Sequence, residues 1–141
     1  MEAIKQFTVE QANATLPLVR RIVQDIVAHH RVWNEKLLEI DLLAAGGRAS
    51  DVDLVERIVG EVQQVAGEIE GFRRELLELG IQLKDSGLGL IDFPSAMGDR
   101  QILLCWRLGE PEVQYWHDLE AGFAGRQPLA TVSLRRVSRT N

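Results

Sequence analysis

Cysteine occurs once, as Cys105, so no internal disulfide can form, and a reducing cytoplasm is the expected setting. Positive charge is also scarce. Sixteen Lys and Arg face 21 Asp and Glu, giving a net charge of −5 and a pI near 5.2. A nucleic-acid binder needs a cationic footprint to neutralise phosphates, so nucleic acid is not an expected partner. The same deficit argues against an anionic membrane surface. No apolar run approaches the ~20 residues of a membrane helix. The opening MEAIKQFTVEQ has no apolar core behind a positive charge, so no secretory signal is expected. Gly-x-Ser-x-Gly, Walker, His-Glu-x-x-His, paired CxxC and GxGxxG patterns are all missing. What remains is a globular balance of 45% hydrophobic and 26% charged residues in 141 positions, enough for one domain with a real core.

The front of the chain is helical. Thr8 can cap a helix with Gln11 three residues on, and Phe7 can staple back over Ala12. Pro17 is costly inside a helix, so the simplest expectation is a short helix, a kink near Thr15-Leu16 and a restart; one long bent helix is the alternative. Leu16, Val23, His30, Leu37 and Ala44 then recur every seven residues, with Val19, Ile26, Trp33 and Ile40 between them. Gly46-Gly47 ends this run, and Ser50 can cap the next helix, with Asp51 and Asp53 in its first turn. Its seam carries Val55, Val62, Ile69 and Leu76, with Ile58, Val65, Phe72 and Leu79, before Gly80. Two such helices joined by a short loop run antiparallel and pack as in a coiled coil.

After Gly80 the period changes from helical to two. Ile81–Lys84, Leu88–Phe93, Gln101–Leu108 and Pro111–His117 read as four strands of an antiparallel meander, with turns centred on Ser86-Gly87 and Gly109-Glu110. The expected fold is therefore α+β: a long coiled-coil-like helical hairpin (8–44 and 51–79) on a four-stranded meander (81–118), one domain over 1–130, with a loose polar tail over 131–141. Those turn centres place Leu83 opposite Leu90 and Leu104 opposite Tyr115. The helix-facing side would then carry Ile81, Leu83, Leu88, Leu90, Ile102, Leu104, Trp106, Val113 and Tyr115. Ile91, Phe93, Leu103, Cys105 and Trp116 would lie on the other side. That second apolar set suggests a covered face, either by the C-terminal segment or by a second subunit. With the long hairpin it leads to the expectation of a non-enzymatic module that self-associates as a homodimer, the alternative being a metal- or anion-binding protein, possibly a hydrolase, with its site around Asp92 and His117.

The residues most able to do chemistry gather in Ile102–Arg126, which holds the only Cys, two of three Trp, the only Tyr and one of three His. In the register above, Asp92 and His117 sit at one rim of the helix-facing side, flanking Ile102, roughly 9–10 Å apart at Cβ. Glu120 could join them if the chain turns helical there, and His30 could reach the same rim from its seam position. A His with carboxylates is a reasonable shell for a divalent metal, the one cofactor the sequence suggests. The alternative is a His117 hydrogen-bonded to a carboxylate or a backbone carbonyl, holding the sheet together. Adjacent His29 is expected in solvent. Arg126 could clamp an anion or pair with Asp118 or Glu120, and Glu110 lies in the same stretch. Cys105, between Leu104 and Trp106, reads as buried and inert.

FTVEQANATLPL, GLGLIDFP and LCWRLGE…YWHDLEAGFAGRQPL together resemble a prokaryotic family catalogued as domain of unknown function 2203. The resemblance covers nearly the whole chain except the tail. It implies a small bacterial cytosolic protein and no assigned activity, so no catalytic residues carry across. Asp92, Glu110, His117 and Arg126 fall inside the matching segments.

Overall fold

Thr8 begins the first helix as expected. Its hydroxyl accepts from Gln11 N and the Gln11 side chain accepts from Thr8 N, both at 3.0 Å, while Phe7 and Ala12 are buried together in the core. The structure, a computed structural model, describes residues 5–129; the tail expected over 131–141 lies outside them. Helix α1 (Val9–Gly46) runs without a break through Pro17, so a single long helix replaces the short helix and restart. The reason is packing on both sides of the proline. Ala12, Leu16, Val19 and Val23 are all buried, and each large apolar side chain contributes about 1.5–3 kcal/mol, more in sum than the roughly 3 kcal/mol a mid-helix proline costs. Local polar groups also help: the Thr15 hydroxyl donates to Ala12 O at 2.7 Å.

Gly47 adopts the left-handed conformation (φ 65°) that ends α1. A single 3-10 turn, Ala49–Asp51, leads into α2 (Val52–Glu78). Ser50 does not cap it. Asp51 holds the N-cap position with no side-chain cap bond, and its carboxylate lies 3.9 Å from Arg48 instead.

Gly80 (φ 88°) turns the chain into the sheet. The strands β1 (Gln82–Asp85), β2 (Leu90–Met97), β3 (Arg100–Arg107), β4 (Tyr115–Asp118) and β5 (Gln127–Pro128) pair antiparallel in chain order. The fold is α+β, with five strands where four were expected. β5 is only two residues long and ends in proline, so it carries no alternation to read.

The register differs from expectation by one residue at two connections. Leu83 pairs with Ile91 rather than Leu90, across an irregularity before Asp85. Leu104 pairs with Trp116 rather than Tyr115. Both connections are wider than two-residue turns. In the first, the Asp85 carboxylate accepts from Gly87 N and Leu88 N. In the second, Val113 leaves the sheet, is buried in the core and donates its N–H to Asn13 Oδ1 at 2.7 Å. A one-residue slip exchanges the faces of a strand. The helix-facing core therefore uses Ile91, Phe93, Ile102, Leu104, Trp106 and Trp116, together with Leu16, Val19, Val23, Ile26, Leu76 and Ile81. Leu90 and Tyr115 move to the outer face.

The helices outrun the sheet. At 1.5 Å per residue α1 is about 57 Å long and α2 about 40 Å. The last fully buried residue of α1 is Ile26. Just past it Val27 packs on the core and His30 lies against the turn at Gly87; farther out the two helices pair with each other, as an arm holding Ile58 and Val65 between them.

Candidate functional site

The outer face of the sheet holds polar side chains that an edge or surface would normally keep wet. Asp92 pairs with Cys105 across β2 and β3, and Leu103 pairs with His117 across β3 and β4. Alternation then points Asp92, Leu103, Cys105 and His117 to the same side, away from the helices. Asp92 and His117 share one face, as expected, but it is the outer face. The residue opposite Asp92 is Cys105, with Leu103 beside it, not Ile102. All three polar groups are buried, with Asp92 at 1%, Cys105 at 0% and His117 at 2% of full exposure.

Two strand spacings separate β2 from β4, so the side chains must reach over β3 to meet. They do. His117 Nε2 lies 3.1 Å from both Asp92 carboxylate oxygens, and His117 Nδ1 lies 2.7 Å from Asp118 O. A carbonyl only accepts, so Nδ1 carries a hydrogen and donates it. Nε2 then faces Asp92 with one proton shared across the contact, as an imidazolium–carboxylate pair or as a neutral imidazole and an acid. Burial pushes the Asp92 carboxyl up from its ordinary value, against the opposing pull of His117. Burial, reinforced by the Asp92 charge, pushes the Cys105 thiol up to about 12. Such a thiol is protonated at neutral pH, and the nitrogen that could deprotonate it is turned to Asp92. Cys105 therefore lacks the activated setting of a nucleophile. One ligand atom from each of Asp92, Cys105 and His117 lies within 4.8 Å of the others.

Of the other residues singled out, Glu120 is exposed in the turn after β4. His30 stays on the helical side, its ring 5.7 Å from Trp33 and close to the turn at Gly87. Neither joins the cluster. His29 is not simply solvated: it sits 3.7 Å from Glu68 and edge-on to Phe72. Arg126 and Glu110 meet each other. Nη1 donates to Glu110 Oε2 at 2.8 Å and Nη2 to Oε1 at 2.9 Å, so neither Asp118 nor Glu120 is the partner. The guanidinium stacks 3.8 Å from the Tyr115 ring centre and 4.7 Å from that of Phe123, and Nη2 also reaches Cys105 O at 3.4 Å. Glu110 in turn accepts from Arg107 N at 2.8 Å. Burial is the largest single influence and works to lower the Arg126 pKa, but the Glu110 hydrogen bond and the charges of Cys105, Glu110 and Tyr115 together outweigh it and the value rises. The fork that could have clamped an anion instead ties the segment after β4 to the outer face.

Cys105 is the member of the cluster that the sequence hid. Its neighbours, Leu104 and Trp106, suggest an ordinary core position, and only the strand register places it opposite Asp92.

The architecture defines an α+β protein in which a helical arm projects from a sheet with a polar cluster on its outer face. A family model described as Uncharacterized conserved protein (DUF2203) matches residues 5–129, and the chain belongs to that family. No curated protein and no solved structure matches it. Among the described residues no helix is long and apolar enough to cross a membrane.

Proposed function

We propose that this chain is a cytoplasmic, non-enzymatic interaction module that self-associates through its helical arm. The observation that carries the reading is the exposure of the arm's apolar residues. Leu38 and Leu42, one helical turn apart on α1, are 59% and 66% exposed, and Val52 on α2 is 53% exposed. Seam residues Trp33, Leu37, Ile40, Val55 and Val62 are only half-buried. Two helices bury the centre of a seam between them but leave its flanks in water; a third layer removes both flanks. A second copy of the same arm supplies that layer and makes a four-helix bundle, the usual solution for such patterns. The arm beyond His30 is about 24 Å long and two helix diameters wide, on the order of the roughly 800 Å² per partner of a standard interface.

Light scattering on the intact chain and on a Leu38→Glu/Leu42→Glu variant tests this. The native chain should have the mass of a dimer. The double variant should have the mass of a monomer with unchanged far-ultraviolet circular dichroism. A native monomer, or a variant that stays dimeric, would overturn the proposal.

A further inference from the structure

We propose that Asp92, Cys105 and His117 form a binding site for a zinc-class divalent cation on the outer face of the sheet. This stands apart from the self-association reading, because the arm contributes no residue to it. Three observations support it. The first is the donor set. A carboxylate oxygen, an imidazole nitrogen and a sulfur converge from three adjacent strands, within 4.8 Å of one another and fully buried. Buried polar groups of this kind are normally paired or bound to metal.

The second is the orientation of His117. Its Nδ1 donates to Asp118 O at 2.7 Å. That bond fixes the ring and leaves Nε2 as the nitrogen that can bind, the arrangement that holds a metal-binding imidazole in place. The third is the contact between Nε2 and Asp92. Charge-assisted N–H···O bonds settle near 2.7–2.9 Å to one oxygen. Here Nε2 sits 3.1 Å from both oxygens, so one N–H serves two acceptors and satisfies neither fully. In a tetrahedral site with bonds of about 2.0–2.3 Å, donor atoms stand about 3.3–3.7 Å apart. Small side-chain rotations bring the three atoms to that spacing.

The chemistry of the set chooses the ion. A thiolate and a carboxylate together carry two negative charges, which match a divalent cation. Sulfur and imidazole favour zinc, cobalt or ferrous iron over magnesium or calcium, which prefer oxygen alone. Three protein donors leave one of four tetrahedral positions for water or another small ligand.

The test uses the full chain, stripped with chelator and titrated with Co²⁺ or Zn²⁺ alone. Cys105 is the only cysteine, so a thiolate-to-cobalt charge-transfer band in the near ultraviolet can arise only there. The expected result is that band at one equivalent of Co²⁺, abolished by one equivalent of Zn²⁺. Cys105→Ser should remove the band. Asp92→Asn can still donate a hydrogen bond to His117 Nε2 and so keep the fold, and it should weaken cobalt affinity at least tenfold. Absence of the band in the native chain overturns the site, whatever the variants do. Cation binding that persists unchanged in Cys105→Ser assigns the ion to other residues and also overturns it.

Discussion

Two buried polar constructions on the outer face behave differently when one partner is removed. Glu110 receives three hydrogen bonds on its carboxylate, two from Arg126 and one from Arg107 N. Removing it leaves a largely buried guanidinium without its counter-charge. Glu110→Ala should therefore cost about 2 kcal/mol, read as a lower urea midpoint; an unchanged midpoint would mean that the stacking on Tyr115 and Phe123 holds Arg126 alone. Cys105 makes a pH statement. Its folded pKa, about 12, lies above the ordinary 9.0. The unfolded chain therefore ionises first. The thiol's contribution is fully present below pH 9 and is lost as pH rises from there toward 12, at up to about 1.4 kcal/mol per pH unit. Urea unfolding of chelator-treated protein should show this slope above pH 9, and Cys105→Ser should be flatter over the same range. Parallel curves for the two proteins would contradict the burial of the thiol.

At the scale of elements, α1 tests the competition between proline and packing. Pro17 is exposed, so replacing it disturbs no core contact and restores one backbone donor. Pro17→Ala should raise stability by about 2 kcal/mol in urea unfolding. A loss of stability would show that Pro17 itself is needed to seat α1 on the sheet. Thr8→Ala should cost about 1 kcal/mol through the lost cap.

The elements also show how far the sequence can be read. The two helices, their glycine stop and the strand periods were legible because each depends on local spacing. The outer-face cluster was legible only in part. Both β1–β2 and β3–β4 were read one residue out, because the side chain of Asp85 widens one turn and the burial of Val113 lengthens the other. Neither event leaves a local signal. The first slip exchanged the faces of β2 relative to β1, and the second those of β4 relative to β3. Asp92 and His117 stayed together because both slips moved them the same way, while Cys105 replaced Ile102 between them. Arg126 could not be assigned to Glu110 by spacing, because that pairing depends on how the segment after β4 folds back.

At the scale of the whole molecule, the sheet and the lower part of the hairpin share one core, and the arm beyond it does not. The arm presents a half-buried seam and exposed leucines to solvent, an arrangement that monomeric proteins usually avoid at this length. Sedimentation equilibrium of the intact chain tests this most directly. A monomer–dimer equilibrium that shifts wholly to dimer at micromolar concentration is expected. A single species of monomer mass across the whole concentration range would contradict it.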